Sequence, residues 1–327
     1  MSRKAVKPKQ SLPKQQAGLV PVQSVAVIGA GAVGAFYGSM LQRHGLSVEY
    51  QSAMMAKAKV RTLTVNSVWS DYKLPVSCFA RSELMQPADL VIVSLKVLPS
   101  IDPFSLVTPV LKKKSIILLL QNGINEEERY TSYYKKTHFR PILLGGLAFT
   151  CINRINAHQI SHIDYGRINI AAQKTEHRTF ARQVTRLFQE AGITTDYLPD
   201  LRRARFEKLL WNVPYNSLSV LLNTMADQIV ENPHTLSLSV QMMKELQAIA
   251  KAEGINLPAA MLDRMVKHTQ NMKPYKTSML LDYEAGRPME IDSILGQPLI
   301  LAKRAKVAAP AIQMAYDMLH FYEHSLQ

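Results

Sequence analysis

Residues 25–52, VAVIGAGAVGAFYGSMLQRHGLSVEYQS, run from an apolar β-rich segment through a glycine turn into a helix and a second strand. Few patterns restrict a fold more. The first glycine of G-x-G-x-x-G, Gly29, allows a tight turn. The second, Gly31, lets the backbone approach a pyrophosphate, and the third, Gly34, lets helix and strand pack closely. The helix N-terminus attracts the anion. The context of strand before and helix after is what the motif requires. It predicts a dinucleotide held along Gly29, Ala30, Gly31, Ala32, Val33 and Gly34. The competing reading is a glycine-rich turn without a ligand.

The second strand, 47–50, is expected to end beside the adenosine ribose. NAD-selective sites carry Asp or Glu there, whereas cations suit a 2′-phosphate. Here Gln51-Ser52-Ala53 contains no acid, and Lys57, Lys59 and Arg61 follow. That favours NADP(H), with Glu49 inside the strand as the counterargument. A solvated charged face is the plain alternative for the three cations.

Residues 89–95 and 115–120 are short, apolar and β-branched, as in buried parallel strands. Lys96 follows the first and Gln121-Asn122-Gly123 the second. Ligands bind beyond the carboxyl ends of such strands, which brings Lys96 and Asn122 toward cofactor or substrate. An ordinary loop lysine and a simple turn are the other readings. Further strands are expected at 141–150, 158–171 and 193–198, with an amphipathic helix at 179–191.

Past Pro199-Asp200 the strand patterns stop. Helices are predicted over 201–223, about 225–253, 259–272, from about 276 onward and after Pro310. The fold class is therefore α/β: an N-terminal Rossmann-type parallel sheet domain at 24–199, followed by a C-terminal all-helical domain at 200–327. Such an order sets an active site in the crevice between the halves.

Residues 206–223, FEKLLWNVPYNSLSVLLN, are apolar nearly all round, as a buried helix would be. Yet Lys208, Asn212, Asn216, Ser219 and Asn223 fall within an arc of roughly 80°. Either this stripe faces solvent, or it needs polar partners, water or a ligand. Pro214 is expected to remove one backbone hydrogen bond and kink the helix.

The net charge of +14 suits anionic ligands. Residues 1–23 read as a disordered basic tail, with an organellar targeting peptide as the alternative; five cations and no acid lie there. The remainder is basic as well. No nucleic-acid signature, metal pattern or membrane-length apolar run occurs. The two cysteines, Cys78 and Cys151, fit a reducing cytoplasm.

Four pieces in order carry a resemblance: GAGAVG at 29–34, QNG at 121–123, the K-x-x-x-N-x-x-x-N of Lys208, Asn212 and Asn216, and TSMLLDYEAGRPMEID at 277–292. The chain resembles the ketopantoate reductase (2-dehydropantoate 2-reductase) family over roughly 24–322. The resemblance implies NADPH-dependent reduction of ketopantoate to pantoate in pantothenate and coenzyme A synthesis. Carried over residue by residue, it makes Lys208 the general acid and Glu290 the second catalytic group, which binds the substrate hydroxyl and also touches the cofactor side. Asn212, Asn216, Ser278 and Asn122 become substrate contacts. Asn122 and Lys96 also face the cofactor, and the protein is expected to be a monomer or homodimer.

The chain departs from the family where Tyr275 replaces an asparagine, where Ser293-Ile294-Leu295-Gly296 replaces YxNG, and in lacking an arginine after the second strand. The rival readings are a paralogue reducing another 2-oxo acid or ketone, and a regulatory protein that holds NADP(H) without turnover. Hydride addition to a ketone builds negative charge on oxygen. A buried lysine can stabilise that charge and donate the proton, which favours the reductase.

Overall fold

The computed structural model describes residues 21–324, so residues 1–20 of the expected tail lie outside the described part. Ten strands form one sheet: β1 (Ser24–Ile28), β2 (Ser47–Gln51), β3 (Thr62–Ser67), β4 (Tyr72–Pro75), β5 (Ser77–Phe79), β6 (Ala88–Val93), β7 (Leu111–Leu119), β8 (Ile142–Asn156), β9 (Gln159–Ala172) and β10 (Thr195–Leu198). Their order is β4-β3-β9-β8-β7-β6-β1-β2-β5, with β10 alongside β9. Helices α1 (Ala32–Arg43), α2 (Ala53–Lys57), α3 (Pro103–Val107), α4 (Glu126–Tyr134) and α5 (Arg178–Glu190) connect them.

The central strands are apolar at nearly every position because both faces of the sheet are covered. Val25 and Val27 point into one core with Phe36, Leu41 and Phe188. Ala26 and Ile28 point into the opposite core with Val91, Leu119 and Tyr130. Since β1 pairs in parallel with both β2 and β6, the chain reverses direction of travel across the sheet between β1 and β6. The glycine turn and the segment after β6 meet at that switch point, where such sheets bind ligands.

Two features were not expected. Strands β3, β4 and β5 extend the sheet, and β8 and β9 form a long antiparallel hairpin rather than more parallel strands. The mixed polar and apolar residues of β3, β4 and β5 leave no continuous apolar run for a sequence reading to find, whereas β8 and β9 fall on expected strands and only their hairpin pairing was hidden.

Beyond β10 the described residues are helical: α6 (Leu201–Leu221), α7 (Ala226–Glu231), α8 (Pro233–Ala252), α9 (Ala260–Gln270), α10 (Ser278–Glu284), α11 (Gln297–Ala305) and α12 (Pro310–His324). A π-turn, Asp292–Gly296, leads into α11. The single helix expected over 225–253 is two. Pro233 holds Asn232 out of the helical region, and the Asn232 side chain caps α8 by accepting from the His234 and Thr235 amides. Helix α6 continues through Pro214 to Leu221 and is the centre of its own core, with Met242, Leu246, Ile294, Ile312 and Leu319 around it. No helix among the described residues is long and apolar enough to cross a membrane.

The third glycine of the turn carries the packing of α1 on the sheet. A Cβ on Gly34 would stand 2.0 Å from Ser94 Oγ and 3.0 Å from Val27. Gly34→Val should therefore push α1 away and destabilise the protein by about 1–3 kcal/mol. Thermal melting checks this, and an unchanged midpoint would contradict it.

Candidate active site

The glycine turn is built as its sequence requires. Gly29 has a positive φ of 78°, and the Gly31 amide donates to the Gly29 carbonyl at 2.6 Å. A side chain on Gly29 would strike Leu95. Around Gly31 the space is open: a Cβ there would have only the Gly29 carbonyl within 4 Å, at 3.8 Å. The exposed N-terminus of α1 and this open backbone fit the pyrophosphate of a dinucleotide.

Gln51, at the end of β2, is buried and supports the turn. Its Oε1 accepts from the Gly29 amide at 3.1 Å, and its Nε2 donates to the Ala80 carbonyl at 3.1 Å. A second support comes from far along the chain. Arg154, near the tip of β8, donates from one guanidinium nitrogen to the carbonyls of Ala30 and Gly31, each at 2.9 Å. The same nitrogen lies 3.6 Å from Met55 Sδ in α2. Arg154 and Arg61 both exert a field on Cys78 beside the end of β2. Sequence reasoning missed Arg154, because only the β8–β9 hairpin brings it to a strand end more than 100 positions earlier.

The second half of the site is a hydrogen-bonded chain across the domain boundary. Lys208 Nζ donates to Asn122 Oδ1 at 3.0 Å and to the Ala148 carbonyl at 2.9 Å. The Asn122 amide nitrogen donates to Glu290 Oε2 at 3.0 Å, and the Val97 amide donates to Glu290 Oε1 at 3.0 Å. An ammonium has three N–H donors, so one of Lys208's is left beyond these two contacts. Its charge also lies over the Phe149 ring, 5.5 Å from the centroid.

Loss of water around Lys208 disfavours its charged form and lowers its pKa to about 7. Arg205, one turn earlier on α6, pushes in the same direction, while Glu290 opposes it. Burial raises the pKa of the Glu290 carboxyl, against the pull of the Val97 amide, Asn122 and Lys96; Asp282 reinforces the rise. Lys208 and Glu290 are joined through Asn122, with no direct ion pair between them among the described residues.

The middle of the polar stripe is buried rather than solvent-facing, while Lys208 is half-buried and Asn223, past the end of α6, is exposed. Asn212 and Asn216 are 7% and 2% exposed, and Ser219 is fully covered. Ser219 Oγ lies 2.7 Å from the Thr277 hydroxyl, which caps α10. Asn216 Oδ1 is buried without a partner among the described residues, a vacancy in hydrogen bonding that a ligand group can fill. The turn bearing Asn122 is locked against the π-turn. Gly123 has φ of 94°, and a Cβ there would stand 2.4 Å from the Ser293 carbonyl. Such π-turns recur at functional sites.

Two expected residues stand apart from this chain. Lys96, read as a cofactor-side lysine, pairs with Asp282 at 2.8 Å and donates to the Pro288 carbonyl at 3.0 Å, so it ties the sheet domain to the helical one. Ser278 is an exposed first residue of α10, with no hydrogen bond to Lys208, Asn122 or Glu290 among the described residues.

Comparison with known proteins accounts for both halves. The family described as "Ketopantoate reductase PanE/ApbA" matches residues 25–174, and "Ketopantoate reductase PanE/ApbA C terminal" matches residues 200–323. The chain belongs to the ketopantoate reductase family. A 2-dehydropantoate 2-reductase of Nostoc is 36% identical to it over 305 residues, covering 91% of this chain and 94% of the relative. The crystal structure of 2-dehydropantoate 2-reductase from Geobacter metallireducens superposes with a TM-score of 0.83 at 32% identity, covering 93% of this chain and all of that one. A D-mandelate dehydrogenase solved with NADH and anilino(oxo)acetate shares the fold, with a TM-score of 0.84 at 20% identity, covering 93% of this chain and 99% of that one.

Within this family of oxidoreductases, the departures at Tyr275 and Ser293 have structural meaning in this chain. Tyr275 lies near the Cys151 thiol on β8 and 6.4 Å, ring to ring, from Trp211. Ser293 supplies the backbone carbonyl that Gly123 packs against.

The lowered pKa of Lys208 has a thermodynamic consequence. Folding weakens its hold on the proton, so between pH of about 7 and 10.5 the unfolded chain binds more protons than the native state. The stability contributed by this residue therefore rises with pH across that window. Relative to the native sequence, Lys208→Met should look most stable below about pH 7, and its relative stability should fall as pH rises toward about 10. Urea unfolding at a series of pH values measures this. A difference independent of pH would contradict the burial of a titrating ammonium.

Proposed function

We propose that this chain reduces 2-dehydropantoate (ketopantoate) to pantoate with NADPH, as an enzyme of pantothenate and coenzyme A synthesis, with Lys208 as the general acid. The observation that carries the reading is the half-buried Lys208–Asn122–Glu290 chain, anchored through Val97 just past Leu95, the residue on which the glycine turn packs. A cofactor-holding regulator would need no proton donor with a pKa of about 7.

Dinucleotide binding falls to the turn Gly29 to Gly34, through backbone amides and the start of α1. Arg154, with Lys57, Lys59 and Arg61, supplies positive charge near the end of β2, where Gln51 replaces an acid; that favours the 2′-phosphate of NADP(H). Lys96, Asn122 and Glu290 belong to the nicotinamide side of the crevice. When bound, the reduced nicotinamide supplies the hydride to the carbonyl carbon. Lys208, fixed by Asn122 and the Ala148 carbonyl, directs its remaining N–H at the carbonyl oxygen, stabilises the charge that builds there and releases its proton to it. Glu290 accepts from the substrate hydroxyl. Asn212, Asn216 and Ser278 complete the contacts to the 2-oxo acid. The basic charge of the chain draws this anionic substrate, with no role for nucleic acid or membrane. The protein works in the cytoplasm as a monomer or homodimer.

Tyr275 favours a second reading. Its ring and that of Trp211 put bulk where the family often carries an asparagine, which suits a paralogue acting on another 2-oxo acid or ketone.

Following NADPH absorbance with ketopantoate, beside pyruvate, 2-oxoisovalerate and oxaloacetate, separates the two. Fastest turnover with ketopantoate, and tighter binding of NADPH than of NADH, are the expected results. Preference for another acid would move the assignment to the paralogue, and silence with all four despite NADPH binding would remove the reductase. Lys208→Ala should lower turnover by about 10²–10⁴-fold and leave NADPH affinity largely unchanged. In the native sequence kcat/KM should fall as pH rises through about 7, as Lys208 of the free enzyme loses its proton.

A further inference from the structure

One group of buried charges takes no part in the chemistry described so far. Arg205 lies on α6, one turn before Lys208, and is 2% exposed. Its guanidinium donates to the Gln121 carbonyl at 2.6 Å and to the Leu119 carbonyl at 3.3 Å, and pairs with Glu127 of α4. Glu127 is equally buried. Room for this pair exists because Gly145 on β8 has no side chain; a Cβ there would stand 2.8 Å from Glu127 Oε1 and 2.3 Å from Leu201.

The spacing matters. Two residues one turn apart on α6 grip two consecutive residues of one turn: Arg205 holds the Gln121 carbonyl, and Lys208 holds the Asn122 side chain. Residues three apart on a helix are neighbours on its surface. A guanidinium reaches the Gln121 carbonyl from one nitrogen and Glu127 from the other in a fixed planar fork, a span that a lysine's single nitrogen does not have. An unpaired buried ion pair partner would be costly, so retaining both charges in the interior asks for a reason beyond stability.

We propose that Arg205 is the positioning residue of this site: with Glu127 behind it, it clamps the turn after β7 so that Asn122 meets Lys208, and it holds a second positive charge one turn from that lysine. The bearing of this on turnover rests on the reading of Lys208 as proton donor, but the clamp itself does not.

Charges around Lys208 come from several elements. Arg205 faces it from α6, and Glu290 reaches it through Asn122. Glu127 lies behind Arg205 on α4. Lys96 and Asp282 lie beyond Glu290. From β8 come the Ala148 carbonyl and the Phe149 ring, over which Arg167 of β9 also lies. Of these, Arg205 is the cation that disfavours the charged form of Lys208.

Two measurements on the cofactor-free protein test the proposal without any substrate. The first is trace acylation of Lys208 against pH, read by mass spectrometry. The native midpoint is expected near 7. Arg205→Gln should raise it by about one pH unit, and Arg205→Lys, which keeps the charge, should leave it near the native value. The second is amide exchange over residues 121–123, which Arg205→Lys should accelerate about fivefold or more, because the fork is lost. Should Arg205→Gln fail to melt cooperatively, Arg205→Met with Glu127→Leu replaces both charges by apolar groups, and exchange over residues 121–123 should again accelerate because the clamp is gone. An unmoved midpoint in folded Arg205→Gln, or unchanged exchange in Arg205→Lys or in the double variant, would overturn the proposal. A native midpoint near 10 with normal turnover would instead remove the catalytic reading of Lys208 and leave the clamp to be judged by exchange alone.

Discussion

The contact between the Lys208 ammonium and the Asn122 side chain is the one on which the rest of the site depends. It joins the turn after β7 of the sheet domain to the first long helix of the helical domain. Each partner is set by elements that bury it for other reasons. Helix α6 is surrounded by apolar side chains of its own core, so the polar groups along it need partners: Lys208 finds Asn122 in the sheet domain, and Ser219 finds Thr277 before α10. The Asn122 turn is fixed because Gly123 lies against the Ser293 backbone, a fit that admits no side chain. Burial makes the lysine's charge conditional: water is lost, Asn122 and one carbonyl replace it, and the pKa falls toward neutrality.

Charge is handled differently at the two ends of the crevice. At the glycine turn the backbone offers amides, Gln51 occupies the place of an acid, and Arg154 spans from the hairpin to hold the turn's carbonyls. At the other end Lys96 and Asp282 close the domain boundary, and Glu290 is held by a backbone amide and Asn122. A carboxyl and a lysine whose ionised forms are both disfavoured thus share one asparagine. Groups of that kind suit proton transfer, and the lysine titrates near neutral pH.

Much of the fold was legible in the chain because two periodicities are strong: continuous apolar strands around a glycine turn, then helices without strands. Lys208, Asn212 and Asn216 were legible as a stripe because helical spacing alone brings them to one face. What stayed hidden is what depends on long-range pairing. Arg154 sits in a strand of mixed character and reaches Ala30 only through the hairpin. Arg205 looks like one more cation in a basic run, and nothing in its neighbours signals that Gly145 and Glu127 make a buried pocket for it. Lys96 was placed correctly at a strand end, yet its side chain goes to Asp282, a choice only the packing of the two domains decides. The split at Pro233 was written in the local Asn-Pro pair and needed only stricter use of the rule that proline restricts the residue before it.

The most direct test of the central contact is a double-mutant cycle between Asn122→Ala and Lys208→Ala, read as the single-turnover rate of NADPH oxidation with the best 2-oxo acid. If the two residues act as one unit, the double variant should lose little more than the worse single variant. Losses that multiply would mean that Lys208 works independently of Asn122, and would contradict the view that this contact organises the site.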